Sequence, residues 1–260
     1  MQFEKKNYQK SDVVLINVRV AKRFCIDWHY SNIFPPHVLL VLGFYDDVGL
    51  AGVSLWGWGV RPVHTIQKLF PSLSTKDYFE LNRLCLRDDV PKNAESWFLA
   101  KCSDYIRHNL KEKVMLLSWA DGVRGKPGYI YQAAGWLYGG FIKTEIYLTE
   151  DGEPVHPRML ITRYGSRSLE VTKNLGLHKV YGRQFMYINF LCSHKTKKSL
   201  LKESTVQWNK NYPKKNELVW ETNFAGEVSR EIRDVPNIQR SGQFRHSAPF
   251  QTESVFDELD

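Results

Sequence analysis

Between residues 78 and 148 the apolar pattern changes period four times, and few folds accommodate that. Residues 78–86 alternate, with Phe79, Leu81, Arg83 and Cys85 on one face, which predicts a strand. Trp97, Phe98, Cys102, Tyr105, Ile106 and Leu110 recur at helical spacing over 94–111, after Asn93 as N-cap. Residues 113–119, with Val114-Met115-Leu116-Leu117 at their centre, read as a buried strand ending in Ala120-Asp121-Gly122. A short helix follows over 129–134, stopped by Gly135, and then a strand over 136–148. Strand–helix–strand–helix–strand in one stretch predicts a mixed α/β (α+β) class, because each helix must lay its apolar stripe on a sheet.

The flanking segments extend this plan. Residues 12–26 begin with a β-branched, strand-like run, and Pro35-Pro36 break the turn or short helix around Trp28-His29-Tyr30-Ser31. Residues 37–45 and 50–56 read as a hairpin around Asp46-Asp47-Val48-Gly49. Residues 57–76 read as loop, and Arg158–Thr162 and 184–191 as further strands. After Ser193 the composition turns polar. The expected division is a catalytic domain over 10–193 and an extension over 194–260, Lys-rich and then acidic, flexible or partly docked.

Charge narrows the partners. The 260 residues carry a net +8, distributed as +7 over 1–192, +6 over 193–216 and −5 over 217–260. A basic body with a concentrated basic stretch suits nucleic acid, a phosphorylated cofactor or both, and equally a solubilising surface. Cys25, Cys85, Cys102 and Cys192 lie far apart with no CxxC pair, which argues against a zinc ribbon or disulfide scaffold and for a reduced, intracellular setting. No apolar run reaches the roughly 18 residues of a membrane span.

Tyr131-Gln132-Ala133-Ala134-Gly135-Trp136 resembles the Tyr-x-x-x-Gly-aromatic segment of GNAT N-acyltransferases. That resemblance implies a mostly antiparallel sheet in which two neighbouring strands splay into a V that holds an acyl-CoA, with helix 94–111 offering amides to its pyrophosphate. The glycine-rich phosphate loop of that group is missing; Asp88–Ser96 stands in its place without a glycine. Four blocks in order resemble a rarer GNAT-like group, the phage Mom family. They are Trp28-His29-Tyr30-Ser31; Glu80-Leu81-Asn82-Arg83-Leu84 with Asn93-Ala94-Glu95-Ser96; Ser118-Trp119-Ala120-Asp121; and Gly128-Tyr129-Ile130-Tyr131-Gln132-Ala133 with Trp136, Tyr138 and Gly140. The chain departs from the family at Lys126-Pro127, where a His is expected near the Gly. The resemblance implies an enzyme of the host bacterial cytoplasm that places a carbamoylmethyl group on adenine N6 in double-stranded DNA, with the adenine flipped out, and so blocks host restriction. It implies acetyl-CoA or a related acyl donor, and iron in the same pocket.

The residues admit both functional and structural readings. His29 and Tyr30 suit a proton acceptor, a metal ligand or a half-buried aromatic pair. Asp121 ends a strand and suits a general base, a metal ligand or a turn residue before Gly122. Together His29, Tyr30 and Asp121 would make the N/O site that iron accepts. Tyr131 matches the GNAT tyrosine that protonates the departing thiolate, or is a core aromatic. The cofactor would be held by Arg83, Leu84, Asn93, Ser96 and Ser118, with a Glu80–Arg83 ion pair as the structural alternative. Trp56 and Trp58 suit base stacking or hairpin packing. Lys195, Lys197, Lys198, Lys202, Lys214 and Lys215 suit backbone phosphates or a solvated linker. An ordinary GNAT acetylating a protein or small-molecule amine, and a non-catalytic DNA-binding accessory protein, are the alternatives.

Overall fold

A computed structural model describes residues 12–31, 34–155 and 157–239. The chain opens with a three-residue strand, β1 (Val13–Leu15), and a helix, α1 (Val18–Trp28). The β-branched run that reads as one strand is cut at Asn17, whose side chain accepts the Arg19 amide at 2.8 Å and starts the helix. Ala21, Phe24 and Cys25 then share one buried face. The hairpin β2 (Val38–Asp46) and β3 (Gly49–Gly57) forms as expected. Its turn is held by Arg87, which bonds Asp46 (2.5 Å), Asp89 (2.8 Å) and the Leu50 carbonyl (3.0 Å).

The segment expected to be loop contains a helix, α2 (Pro62–Leu69), with Pro62 at its start and Ile66 and Leu69 packed on the sheet. Then come β4 (Tyr78–Leu86), α3 (Ala94–Asn109), β5 (Met115–Asp121), α4 (Tyr129–Ala133) and β6 (Leu137–Leu148). After β7 (Pro154–Val155), residues 158–162 are helical rather than extended. They lie in α5 (Pro157–Tyr164), where Leu160 alone is buried, against Tyr147, Val155 and Leu177, and Ile161 is exposed. A short α6 (Leu169–Asn174) leads to β8 (His178–Phe190).

The sheet order is β1-β2-β3-β4-β5-β8-β6-β7, and among the described residues only β4 and β5 pair in parallel. The expected mixed, mostly antiparallel sheet with helices on its faces is therefore what forms. α3 and α4 cover one face through Phe98, Leu99, Cys102, Ile106 and Tyr131. α1 and α2 cover the other.

The residues beyond 193 join this body. α7 (His194–Glu203) buries Leu200 on the α2 face. β9 (Trp220–Phe224) pairs with β8 at 179–181, and β10 (Glu227–Ile232) pairs with β9. β6 occupies one edge of β8 throughout, so β9 continues the line that β5 leaves at Asp121. Trp220 is buried there and its indole donates to the Val123 carbonyl at 2.8 Å. The expected boundary at 193 is thus not a break in the packing, and residues 240–260 lie outside the described residues. No helix among the described residues is long and apolar enough to cross a membrane.

Candidate active site

β4 and β5 pair only over Tyr78–Leu81 and Met115–Ser118. Beyond Leu81 and Ser118 they part, each staying with its outer neighbour: β4 with β3, and β5 with β8. This is the V that the resemblance to GNAT N-acyltransferases implies. A β-bulge marks its apex. Leu81 pairs with Trp56 and Arg83 with Leu55, so Asn82 is an extra residue in the ladder. The bulge also corrects the expected face. Phe79 and Leu81 pack toward α3, but Arg83 and Cys85 turn to the α1 side, where the Arg83 guanidinium donates to Ser31 Oγ at 3.3 Å. Glu80 and Arg83 accordingly do not pair: Glu80 receives the Trp119 indole N–H.

A cavity of about 410 Å³ fills the V. His29, Tyr30, Arg83, Leu84, Asp121 and Tyr131 all line it, although they come from four separate parts of the chain. His29 caps α1, its amide bonded to the Cys25 carbonyl at 2.9 Å. Its ring is buried, with Nδ1 3.0 Å from the Ser31 N–H and 3.1 Å from the Ser31 carbonyl. Burial, and then the Arg83 charge, push its pKa down to about 3, so the imidazole is neutral in ordinary buffers and can accept a proton or hydrogen bond. Tyr30 lies tilted on His29 with ring centres 4.1 Å apart and donates to Asp121 Oδ2 at 3.3 Å. Burial and the Asp121 charge raise its pKa far above that of a free phenol. The Lys126 ammonium stands 3.9 Å, and the Arg124 guanidinium carbon 4.9 Å, from its ring centre. Asp121 accepts the Arg124 amide at 3.4 Å and faces the Arg124 guanidinium at 3.7 Å.

At the apex Ser118 Oγ lies 3.3 Å from the Leu81 carbonyl and 2.8 Å from the Tyr131 hydroxyl. If Ser118 donates to the carbonyl, Tyr131 must be the donor to Ser118. Tyr131 stacks on Tyr187 at 5.0 Å, and burial pushes its pKa up to about 12. The wall opposite is the turn Gly125–Gly128. Its Pro127 carbonyl accepts from the Tyr187 hydroxyl and from Gln132 Nε2. Gly128 has φ +95°, and a Cβ there would come within 2.5 Å of the Tyr187 ring and 3.0 Å of Ala120. Gly128→Ala is therefore expected to cost ~3 kcal/mol of stability, read as a lowered urea midpoint with an unchanged slope. A loss under about 0.5 kcal/mol would mean the wall yields freely.

Other expected residues stand elsewhere. Asn93 starts α3 but makes no side-chain cap, because its backbone is left-handed (φ 72°) rather than in the extended conformation a capping residue adopts, and Ser96 Oγ donates to its carbonyl at 3.0 Å. Neither lines the cavity, and Ser118 lies behind Tyr131. Lys195, Lys197, Lys198 and Lys202 are on α7. That helix follows the end of β8 that pairs with Met115, whereas the cavity lies at the Asp121 end. Of the lysines singled out, Lys215 lines the cavity, its amide bonded to the Tyr129 hydroxyl at 3.2 Å, and Lys214 is its exposed neighbour. Trp56 is fully buried, and Trp58 is bonded to the Thr75 carbonyl at 3.1 Å, which makes both packing residues. Sequence reasoning missed Glu95, Trp119 and Lys126 as lining residues. Glu95 and Trp119 lie inside the recognised blocks, and Lys126 sits at the one departure from them, so the signal was present but carried no direction.

The donor set does not suit iron. Among the described residues no three His, Cys, Asp or Glu side chains come together. The Tyr30 phenol resists ionisation, and Arg83, Arg124 and Lys126 already bring positive charge to His29 and Tyr30. An acyl-CoA arm suits the V better. The strands there offer unpaired backbone, and Asn82 Nδ2 is buried with no hydrogen-bond partner. The start of α3 is ambivalent for a diphosphate: its amides lack a side-chain cap, yet Glu95 stands in its first turn and lines the cavity.

A family model described as the Mom protein family matches residues 11–214. A relative, the Methylcarbamoylase mom of Escherichia phage Mu, is 31% identical over 207 residues, which span 78% of this chain and 83% of that protein. Similar solved structures include an N-acetyltransferase from Staphylococcus aureus Mu50 (TM-score 0.38, 11% identity, covering 70% of this chain and 99% of that one). A GNAT-family protein of Desulfovibrio desulfuricans is another (TM-score 0.33, 13% identity, covering 59% and 69%).

Proposed function

The chain belongs to the Mom protein family, and from that premise we propose that it modifies phage DNA in the bacterial cytoplasm by placing a carbamoylmethyl group on adenine N6. The observation that carries the reading is the gathering of His29, Tyr30, Asp121 and Tyr131 around one cleft between parted strands. The target adenine leaves the duplex, because its N6 edge is paired there; extrusion costs a few kcal/mol.

A CoA-type donor would lie along the parted strands, near Asn82, Arg83 and Leu84; attachment of N6 through the methylene requires that this carbon, not a thioester carbonyl, carry the group that N6 displaces, and that the amide nitrogen come with the donor. The residues of the chain do the rest. Asp121, held by Tyr30 and Arg124, accepts the N6 proton, with neutral His29 beside Tyr30 as a second acceptor. The Tyr131 hydroxyl, kept protonated by burial, holds a proton near the apex. The proposed group joins N6 through its methylene carbon. Plain acetyl transfer joins N6 through the carbonyl and adds no nitrogen, whereas the carbamoylmethyl group ends in an amide, so the two chemistries leave adducts of different mass.

The test is to express the chain in bacteria, digest their DNA to nucleosides and compare masses with a control. A carbamoylmethyl adenosine that disappears with Asp121→Ala supports the reading. Acetyl-CoA turnover on a protein or small-molecule amine without DNA would support an ordinary acetyltransferase. DNA binding with an unchanged nucleoside profile would support an accessory protein.

A further inference from the structure

A second hollow lies beside the cleft, on the α4 side of the sheet, and the mechanism does not use it. Its volume is about 190 Å³, and Tyr138, Phe141, Arg183, Asn211, Tyr212 and Glu217 form its walls over buried Phe185. Its origin is local. The β6–β8 ladder skips from Tyr138–Tyr187 to Phe141–Phe185, which leaves Gly139 and Gly140 as a bulge. Gly139 lies so close to the Trp208 ring that a Cβ would stand 2.1 Å from it, and Gly140 has φ +92°. The bulge spreads Tyr138 and Phe141 apart and leaves Phe141 49% exposed, with the Arg183 guanidinium 4.4 Å above its ring.

We infer that this hollow is a nucleobase site, seating the base next to the one being modified. The inference rests on the DNA reading above for the identity of that strand. Three observations carry it. Tyr138, Phe141 and Tyr212 line the hollow, and aromatic rings are stacking partners for any base, with the Arg183 guanidinium over Phe141 adding a second planar group. The rim combines donors (Arg183, Asn211) with acceptors (Asn211, Glu217), as a base edge requires, and pairs one cation with one anion, which does not favour a lone phosphate. Its volume is below the roughly 300 Å³ of drug-sized pockets, so it takes a single planar heterocycle rather than a whole nucleotide. The hollow is also close to the cleft: Tyr138 contacts Tyr187 at 5.6 Å, and Tyr187 stacks on Tyr131 at 5.0 Å. The wall between them is the segment from Tyr212 to Lys215, pinned by Gln132 on the Pro213 carbonyl (3.2 Å) and by Tyr129.

A base could come from the DNA strand or from the adenine of a CoA donor, and the experiment separates them. Anisotropy of labelled oligonucleotides carrying one target adenine is measured for the full chain, Phe141→Ala and Arg183→Gln, with each flanking base present or replaced by an abasic unit. Loss of the Phe141 ring is expected to weaken binding by about fivefold or more, and the loss is expected to vanish on the oligonucleotide abasic at the position the hollow reads. Calorimetry with acetyl-CoA, and with an acetyl-pantetheine lacking the nucleotide, forms the second arm. A weakening confined to acetyl-CoA would assign the base to the cofactor. Thermal melts establish that both variants are folded, and Arg183→Gln leaves every ring in place. Unchanged affinity for both DNA and acetyl-CoA in both folded variants overturns the site. If such variants bind normally while the full chain still forms the adenine adduct, the hollow is wrong and the function stands. If ring loss weakens base binding but the full chain forms no adduct, the hollow stands and the function falls.

Discussion

Replacing Glu80 by glutamine is expected to stabilise the protein by up to ~3 kcal/mol at pH 8 and to do little near pH 4. The Glu80 side chain lies against the Gly59 backbone, so close that a Cβ there would stand 2.1 Å from its carboxyl oxygen, and it takes the Trp119 indole N–H. Burial pushes its pKa from 4.5 up to about 7. The sign follows from proton counting. Between those two values the folded state holds a proton that the unfolded chain has released, so stability is present in full below pH 4.5 and is lost as pH rises toward 7. Glutamine keeps the acceptor for Trp119 and carries no charge to desolvate. His29 contributes the opposite slope: with its pKa at about 3 against 6.5 unfolded, it lowers stability as pH falls below 6.5, by at most ~5 kcal/mol. Urea denaturation of the wild-type chain and Glu80→Gln at pH 4 and pH 8 reads both effects. An equal gain at the two pH values would show that Glu80 is not the group that titrates.

Asp121→Asn is expected to cut adenine-adduct formation by ~10²–10⁴-fold, the usual worth of a positioned acid or base, and to lower the melting temperature by only a few degrees. Asp121 takes the Tyr30 hydroxyl on Oδ2 and the Arg124 amide on Oδ1, so Asn keeps one of these acceptors and loses the other; the side chain it replaces is 32% exposed, so water takes up the lost bond and the cost to stability is ~1 kcal/mol. What is lost is the ability to accept a proton. Quantifying modified adenosine in DNA from cells expressing each variant, beside thermal melts of the purified proteins, separates chemistry from folding. Adduct within a few-fold of wild type in Asp121→Asn would move the proton acceptor elsewhere, His29 being the nearest neutral base. A pH–rate profile is expected to show no histidine limb near 6.5, because His29 is already neutral there.

These two sites differ in how far the chain announces them. Asp121 is legible because it ends a strong apolar run, and such strand ends face the open side of a sheet. Tyr131 is legible from the short helix that Gly135 stops, and the hairpin from its turn residues. Glu80 gave no such signal, since its pKa depends on the proximity of Gly59 and Trp119, which no spacing reveals.

By itself, the order of periods along the chain determined that helices would cover a mixed sheet and that Asp121 would stand at a strand end. That information is local: it needs only backbone geometry and the burial of one stripe per element. The tertiary structure alone decided the rest. The bulge at Asn82 turned Arg83 toward α1, because the ladder with β3 takes up an extra residue where the parallel partner departs. The segment after residue 193 became part of the sheet, because β5 ends at Asp121 and leaves an unpaired edge on β8 that Trp220–Phe224 fills. Pairing between distant strands sets both outcomes, and an unmet backbone hydrogen bond costs enough to settle them.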